Sequence, residues 1–261
     1  MAALTAQGKK GLLPYITAGY PDLATTAALL RRFDRLGVTA VELGVPFSDS
    51  IADGPVIQES FYRALDAGFT VDRLMATIQQ VRADVTTPII TMVSFSIVRR
   101  IGVAGYLAKA AQAGVDGLII PDLSLEEAPD IAQQAGQAGL RLVMLVAPTS
   151  PIHRREQIAR VSTGFIYYMS VAGITGERSQ LPPEVVANVA ALRTASGKPV
   201  VVGFGIGKPE HVATVCQTAD GAIVGSAIVR KIGEAIDRKL DAEGTADMVG
   251  GFVEALMSPL K

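Results

Sequence analysis

Cysteine and histidine are almost absent from this sequence. The chain of 261 residues contains one cysteine, Cys216, and two histidines, His153 and His211, which lie far apart. A single cysteine excludes an intramolecular disulfide, and this set of residues makes a zinc site an unfavourable interpretation. A chain without disulfides fits a reducing compartment, so we expect a cytoplasmic protein without a metal.

The sequence also lacks a charge excess and long hydrophobic runs. Its formal net charge is −1, which gives no electrostatic basis for binding nucleic acid or an anionic membrane. The longest apolar runs, such as Leu142–Pro148, are too short to span a bilayer, and residues 1–10 contain no apolar segment typical of a signal peptide. Hydrophobic residues make up 49% of the chain, enough for a full core, and no linker divides it. We therefore expect one domain over residues 1–261.

Eight short apolar runs, rich in valine and isoleucine, alternate with amphipathic segments along the chain. Their lack of polar alternation is typical of parallel strands covered on both faces. The runs are Leu12–Thr17, Ala40–Val45, Ile89–Val93, Gly117–Pro121, Leu140–Ala147, Phe165–Ser170, Pro199–Gly203 and Gly221–Gly225. Eight strand–helix units in about 250 residues favour an α/β fold of the (β/α)8 TIM-barrel type. The alternative is an open doubly wound sheet, which would need a Gly-x-Gly-x-x-Gly turn after its first strand, and none is present.

Capping residues mark several helix boundaries between these runs. Asp22 precedes one helical pattern, and Gly37 follows it as a stop. Ser124 and the glutamate three residues later form a capping box for a helix that we expect to end at Gly139. Pro209 suits the first position of a helix over residues 210–217.

Glycines follow the seventh and eighth predicted strands, in residues 203–206 and at Gly225-Ser226. Glycine lets backbone N–H groups approach an anion, and a helix that begins at Ser226 would direct its positive end to the same place. The loops after these two strands form the recurring phosphate site of TIM barrels, so we expect a small phosphorylated substrate. The alternative is that these glycines only form tight turns. Gly173–Gly176, after the sixth strand, is either a lid or a plain surface loop.

Glu42 is an acidic residue inside the second apolar run. Strand alternation places Ala40, Glu42 and Gly44 on one face, and the small neighbours indicate that Glu42 faces the barrel interior. Burial would raise the pKa of this carboxyl towards the range useful for acid–base catalysis. The alternative is a structural ion pair, but no lysine or arginine occupies an obvious inward strand position. The following loop contains Asp49 and Asp53, and their spacing alone does not choose between them.

Asp122 follows the fourth predicted strand. Acids at such positions commonly form turns or cap helices, so we interpret Asp122 as a turn or capping acid near Ser124.

Seven segments resemble the tryptophan synthase alpha subunit family, in family order and across nearly the whole chain. They are LLPYITAGYPD (12–22), VELGVPFSDSIADGP (41–55), LIIPDLSLEE (118–127), LVAPTSP (145–151), GFIYYMSVAGITG (164–176), GFGIGKPEHV (203–212) and DGAIVGSAIV (220–229). The resemblance implies retro-aldol cleavage of indole-3-glycerol phosphate to indole and glyceraldehyde 3-phosphate, with no cofactor in this chain. It also implies an α2β2 complex with a β subunit that carries pyridoxal phosphate and converts indole and serine to tryptophan.

The resemblance also implies roles for individual residues. Glu42 matches the family's general acid–base, Asp53 the acid that binds the indole N–H, and Tyr167 the tyrosine beside the catalytic glutamate. The remaining matches are Gly176, Gly205, Gly225 and Ser226 for the phosphate, Thr175 for the lid, Tyr15, Ile57 and Phe204 for the indole pocket, and Asp49 for the loop that faces the β subunit.

Three features depart from the family pattern. The chain has Val93–Ile97 where the family has Thr-Tyr-Tyr-Asn-Pro, which places Ser94 at the tyrosine that lines the cavity and Ser96 at the asparagine. Ser50 replaces the proline of the partner-facing loop. Met1–Gln7 supplies little of the family's helix at the barrel bottom.

Three alternatives stand beside this interpretation, and the departures at Ser50 and Ser94–Ile97 keep the first of them open. The chain could be a stand-alone lyase without a β partner, or a weakly catalytic subunit that mainly activates one, although intact Glu42 and Asp53 argue against the latter. A different phosphate-binding barrel, such as an epimerase or triose isomerase, would need a metal-binding histidine set or a strand-end lysine and histidine, and neither pattern is present.

Overall fold

A closed barrel of eight parallel strands forms the centre of the protein, with each strand paired to the next and β8 paired to β1. The computed structural model describes residues 1, 7–50, 53–169, 183–203 and 205–260. The strands are β1 Gly11–Thr17, β2 Val41–Gly44, β3 Ile89–Met92, β4 Gly117–Ile119, β5 Arg141–Val146, β6 Ile166–Met169, β7 Val200–Gly203 and β8 Gly221–Val224. Each lies within two residues of a predicted run at both ends, so the prediction of a TIM barrel is confirmed.

Helices follow the strands and cover the outside of the barrel. Within the described residues they are α1 Leu23–Leu36, α2 Pro55–Asp66, α3 Val71–Val81, α4 Phe95–Ile101, α5 Val103–Ala113, α6 Ala128–Gln137, α7 Ile152–Val161, α8 Pro183–Ser196, α9 Pro209–Thr218, α10 Ser226–Asp237 and α11 Ala242–Met257, and a 3-10 turn spans Ser258–Leu260. Side chains from the outer strand faces and the inner helix faces form one continuous hydrophobic core.

Most of the predicted helix boundaries are confirmed. Asp22 accepts a hydrogen bond from the backbone of Thr25 at 2.7 Å and caps α1, which ends at Gly37 in the left-handed conformation. One bond of the predicted capping box is present, because Glu127 N donates to Ser124 Oγ at 3.2 Å, while the Glu127 carboxylate accepts from Ser124 Oγ at 3.0 Å. The expected helix start at the box was wrong, however, since α6 begins at Ala128 and the box closes a separate turn before it.

The strand register determines which side chains meet inside the barrel. Tyr15 of β1 pairs with Glu42, and Glu42 pairs in turn with Ile90 of β3. Thr17 pairs with Gly44 two residues nearer the carboxyl end of β1. Because residues two apart on a strand face the same side, these pairs place Tyr15, Glu42 and Thr17 on the inner face.

Two similar ionic networks lie at the amino-terminal ends of the strands. Asp116, just before β4, accepts from Ile89 N at 2.8 Å and pairs with Arg82. Asp220, just before β8, accepts from Val200 N at 2.9 Å and binds both Arg193 Nε and Nη2 at 2.8 Å. Each acid therefore joins the start of its own strand to the start of the preceding strand. Its arginine partner lies at the carboxyl end of a helix, Arg82 after α3 and Arg193 in α8. Both networks lie at the end of the barrel opposite Glu42.

Candidate functional site

Glu42 is a fully buried carboxylic acid in the interior of the barrel. Its side chain is 0% exposed, and neither carboxylate oxygen has a hydrogen-bond partner among the described residues. Burial and, secondarily, the charge of Asp53 raise the pKa of Glu42 to about 8. The alternative of a structural ion pair therefore finds no support in the described structure. At neutral pH this group is protonated and can donate a proton.

Asp53 is the acid of the following loop whose charge acts on Glu42 and raises its pKa. It is partly buried, and burial raises its own pKa. Its backbone N–H donates to the carbonyl of Ser50 at 3.0 Å, and α2 begins two residues later. Asp49, in contrast, is exposed, with Ser48 Oγ 3.5 Å from its carboxylate. The structure thus brings Asp53 to the interior acid and leaves Asp49 at the surface.

Sequence reasoning missed Gln58, which holds the Asp53 loop in place. Its side-chain amide donates to the carbonyls of Ser50 at 3.0 Å and Asp53 at 2.9 Å. A glutamine in the second turn of a helix that directly follows an acidic loop is a pattern that could have indicated this contact. The loop and the first turns of α2 therefore form one hydrogen-bonded unit.

Two tyrosines lie against glycines around Glu42. A Cβ built on Gly44 would lie 2.5 Å from Cζ of Tyr15, and one on Gly203 would lie 2.6 Å from the hydroxyl of Tyr167. Burial raises the pKa of both phenols well above the usual value, and Glu42 and Asp53 raise both further. These two glycines therefore make room for neutral tyrosines in the same electrostatic environment as the two acids.

The loops after β7 and β8 meet at the start of α10. Gly225 is the N-cap residue of this helix, and Ser226 is its exposed first residue. A Cβ on Gly207 would lie 3.6 Å from that of Ala227, which shows how near the β7 loop comes. Gly205 is exposed, and a Cβ built there would meet no atom within 4 Å. A helix N-terminus beside open glycine backbone is suited to binding a phosphate group.

Some of the other predicted site residues are placed by the structure, and the rest lie outside the residues that it describes. Ile57 is buried on α2, 6% exposed, one turn from Asp53, and Tyr15 is also 6% exposed. Thr175, Gly176 and Phe204 lie outside the described residues, as do the rest of the predicted lid and most of the short amino-terminal segment.

Asp122 lies in a turn just before Ser124, as predicted, but its side chain binds the start of α4 on the neighbouring loop. Its two carboxylate oxygens accept from Ser94 Oγ at 2.8 Å and from the backbone of Phe95 at 2.7 Å. Ser94 is the N-cap residue of α4. The acid therefore joins the loop after β4 to the atypical loop after β3, because parallel neighbours end at the same edge of the barrel.

Within the described residues, no group of three or more histidine, cysteine or acidic side chains is placed to hold a metal ion. In the same part of the chain, no helix combines the length and the apolar character that crossing a membrane requires.

The chain is similar to known proteins over nearly its whole length. Residues 1–255 match the sequence profile of the family described as tryptophan synthase alpha chain. The tryptophan synthase alpha chain of Rhodopirellula baltica is 45% identical, over 97% of this chain and 94% of that protein. That of Rippkaea orientalis is also 45% identical, over 96% of this chain and 92% of that protein.

Solved structures of Pyrococcus furiosus proteins have the same fold. The tryptophan synthase A-subunit of this hyperthermophile superposes with a TM-score of 0.86 at 36% identity, covering 96% of this chain and 99% of that chain. A chain of the tryptophan synthase complex from the same organism gives a TM-score of 0.85 at 35% identity, with the same coverage.

Proposed function

Since the chain belongs to the tryptophan synthase alpha chain family, we propose that Glu42 and Asp53 perform that family's reaction inside the barrel. The alpha chain is a lyase of tryptophan biosynthesis that cleaves indole-3-glycerol phosphate. The observation that supports these residues most directly is the fully buried carboxyl of Glu42, which has no hydrogen-bond partner among the described residues and has Asp53 near it. An isolated buried carboxyl is costly to folding, which favours a catalytic role.

Glu42 carries the proton in both halves of the reaction. It first donates its proton to C3 of the indole ring. Its carboxylate then takes the proton from the hydroxyl of the adjoining glycerol carbon, while the bond between that carbon and ring C3 breaks. The bonding electrons go to the ring, the glycerol carbon becomes the aldehyde of glyceraldehyde 3-phosphate, and Glu42 is protonated again. A pKa of about 8 suits a group that must both give and take a proton near neutral pH.

Asp53 binds the indole N–H and stabilises the positive charge that develops on the ring when C3 is protonated. This charge is greatest in the transition state, so the carboxylate acts mainly on the rate of the chemical step. Tyr167 lies beside Glu42 as a neutral phenol, since burial and both acids raise its pKa.

The phosphate group binds where the β7 and β8 loops meet α10. Gly205, Gly225 and Ser226 offer backbone N–H groups and a helix N-terminus there. Thr175 and Gly176 of the lid complete the phosphate side of the site. Tyr15, Ile57 and Phe204 form the walls of the indole pocket.

A tryptophan synthase β subunit is the proposed partner, in an α2β2 complex in the cytoplasm. The exposed carboxylate of Asp49, on the loop between Glu42 and Asp53, faces this partner. The chain acts as one domain over residues 1–261 and holds no cofactor of its own, whereas pyridoxal phosphate belongs to the β subunit, which uses the released indole.

The test is indole release from indole-3-glycerol phosphate by the purified chain, alone and with a β subunit from the same source. We expect slow release alone and a steep increase with β. Fast release that is indifferent to β would support a stand-alone lyase, the alternative left open by the atypical residues Ser50 and Ser94–Ile97.

Glu42→Gln provides the residue-level test. It removes the proton but preserves the shape of the side chain, so cleavage should be lost while affinity for a phosphorylated substrate analogue stays within a few-fold. Undiminished cleavage by this variant would refute the proposed role of Glu42.

A further inference from the structure

Two buried hydroxyl groups join α2 to the barrel. Thr17 Oγ1 on β1 lies 2.6 Å from Ser60 Oγ on α2, and the two residues are 0% and 1% exposed. Ser60 also donates to the carbonyl of Ile57 at 2.7 Å. Because a hydroxyl has one proton, Thr17 must be the donor in the bond to Ser60.

Thr17 lies at the same end of the barrel as the two acids. It pairs with Gly44 on β2, two residues beyond the pair of Tyr15 and Glu42. Its hydrogen bond to Ser60 therefore holds the second turn of α2 against the carboxyl end of β1. This strand is paired with β2, which carries Glu42.

The amino-terminal side of α2 holds Asp53. The helix begins at Pro55, and the amide of Gln58 is bonded to the Asp53 carbonyl at 2.9 Å and to the Ser50 carbonyl at 3.0 Å. A displacement of the first two turns of α2 would therefore move the Asp53 backbone with it.

We propose that Thr17 and Ser60 are positioning residues that fix Asp53 relative to Glu42, through α2 and the amide of Gln58. This inference rests on the proposed catalytic roles of the two acids. When either hydroxyl is removed, the other is left buried with one hydrogen bond fewer, and α2 relaxes to satisfy it. Asp53 then moves away from the indole nitrogen and from Glu42.

The first experiment compares Thr17→Val and Ser60→Ala with the unaltered chain in complex with its β subunit. We expect each variant to lower kcat about fivefold, the effect of one lost neutral hydrogen bond, with KM within about twofold. Thr17→Ser retains the hydroxyl and should recover most of the lost rate. Thr17 also makes a side-chain hydrogen bond to Tyr15, which Ser60→Ala leaves in place. The double variant should therefore be no slower than Thr17→Val, because each has lost the bond between Thr17 and Ser60.

Thr91→Val is the matched control. Thr91 on β3 is buried and lies 3.3 Å from the hydroxyl of Tyr106 on α5, on the outer side of the barrel. It loses a similar hydroxyl contact without touching α2, so kcat should be unchanged. A fall in kcat equal to that of Ser60→Ala would show a general effect of lost stability and overturn the proposal.

The second experiment asks whether the effect passes through Asp53. Among the residues that the structure describes, the charged or titratable side chains that act on Glu42 or respond to it are Asp53, Tyr15 and Tyr167. Both tyrosines are neutral near pH 8. Ser60→Ala should therefore move the basic limb of the pH–rate profile to lower pH, as Asp53→Asn does. In the Asp53→Asn background, Ser60→Ala should cause no further shift and no further loss of kcat.

The outcomes separate this inference from the proposed function. If the unaltered chain cleaves the substrate and needs Glu42, but Thr17→Val and Ser60→Ala match its kcat and pH profile, only the positioning role is refuted. Full additivity of Ser60→Ala and Asp53→Asn also refutes it. If Glu42→Gln retains full activity, the proposed function fails first.

Discussion

The ring of Tyr15 occupies the space that a side chain at Gly44 would need, with Cζ 2.5 Å from the position of a Cβ at that residue. Tyr15 is also the strand partner of Glu42, which lies two residues before Gly44 on β2. The glycine is therefore required by a neighbouring side chain and not by its own backbone conformation.

Gly44→Ala should displace Tyr15 and disturb the pocket beside Glu42. We expect kcat/KM to fall at least about tenfold and the free energy of unfolding to fall by about 1–3 kcal/mol, the usual cost of overpacking a core. Urea denaturation and steady-state kinetics measure the two effects. Gly136→Ala is the control, because a Cβ there meets nothing within 4 Å and alanine favours the helix. A Gly44→Ala variant as active as the control would contradict this prediction.

The pH dependence of kcat/KM should show a basic limb near 8. The reaction begins with protonated Glu42, whose pKa is raised to about 8 by burial and by Asp53, so activity falls when this proton is lost. In Asp53→Asn the nearby charge is gone, and the limb should move to lower pH even though the rate is reduced. A limb that stays at the same pH would show that Asp53 has no electrostatic effect on Glu42.

Glu42→Gln should stabilise the fold at alkaline pH. The pKa of Glu42 in the folded chain lies above its ordinary value of 4.5, so the folded state prefers the protonated acid. Stability from this group is fully present below about pH 4.5 and is lost as the pH rises to about 8. The uncharged variant escapes this loss, because it has no proton to release as the pH rises.

Thermal unfolding from pH 4 to pH 9 tests this expectation. The melting temperature of Glu42→Gln should rise relative to that of the unaltered chain as the pH increases. Glu243→Gln, on the amino-terminal turn of α11, removes a carboxylate far from the barrel interior and provides the comparison. Parallel curves for Glu42→Gln and the unaltered chain would mean that Glu42 is not buried as a neutral acid.

Gly205→Leu should raise KM for indole-3-glycerol phosphate by about tenfold or more, with little change in stability. The protein leaves the space at this position open, so the new side chain meets the substrate phosphate and not the fold. Steady-state kinetics, with inorganic phosphate as a competing ligand, separates binding from turnover. An effect on kcat alone would contradict a phosphate site at these loops.

Asp220→Asn should destabilise the chain more than Asp116→Asn, although both acids make the same kind of network. Asp220 is 2% exposed with two bonds to Arg193, whereas the Asp116 side chain is 51% exposed. Removing the charge of the buried Asp220, whose partner Arg193 is 38% exposed, should cost ~3 kcal/mol, and removing that of the exposed Asp116 should cost ~1 kcal/mol. Urea denaturation measures both, and kcat should be unaffected because the networks lie at the opposite end of the barrel. Equal losses would show that burial does not determine the contribution.

The barrel could be predicted from the sequence because its strands are covered on both faces. Such strands consist of apolar runs, and the eight runs are confirmed within two residues. The inward direction of Glu42 also followed from strand alternation and its small neighbours. The family resemblance, now confirmed, supplied the reaction and the proposed roles of the site residues.

Only the tertiary structure decided which residues meet across different strands and helices. The bond of Asp122 to the Ser94 loop, the fit of Tyr15 over Gly44 and the contact of Thr17 with Ser60 join residues 28, 29 and 43 positions apart. Strands, helices and the direction of a side chain on a strand depend on residues close together in the sequence. These three contacts depend in addition on strand register and on where each helix packs. The sequence by itself thus determined the barrel and the interior acid, and the three-dimensional packing determined what surrounds that acid.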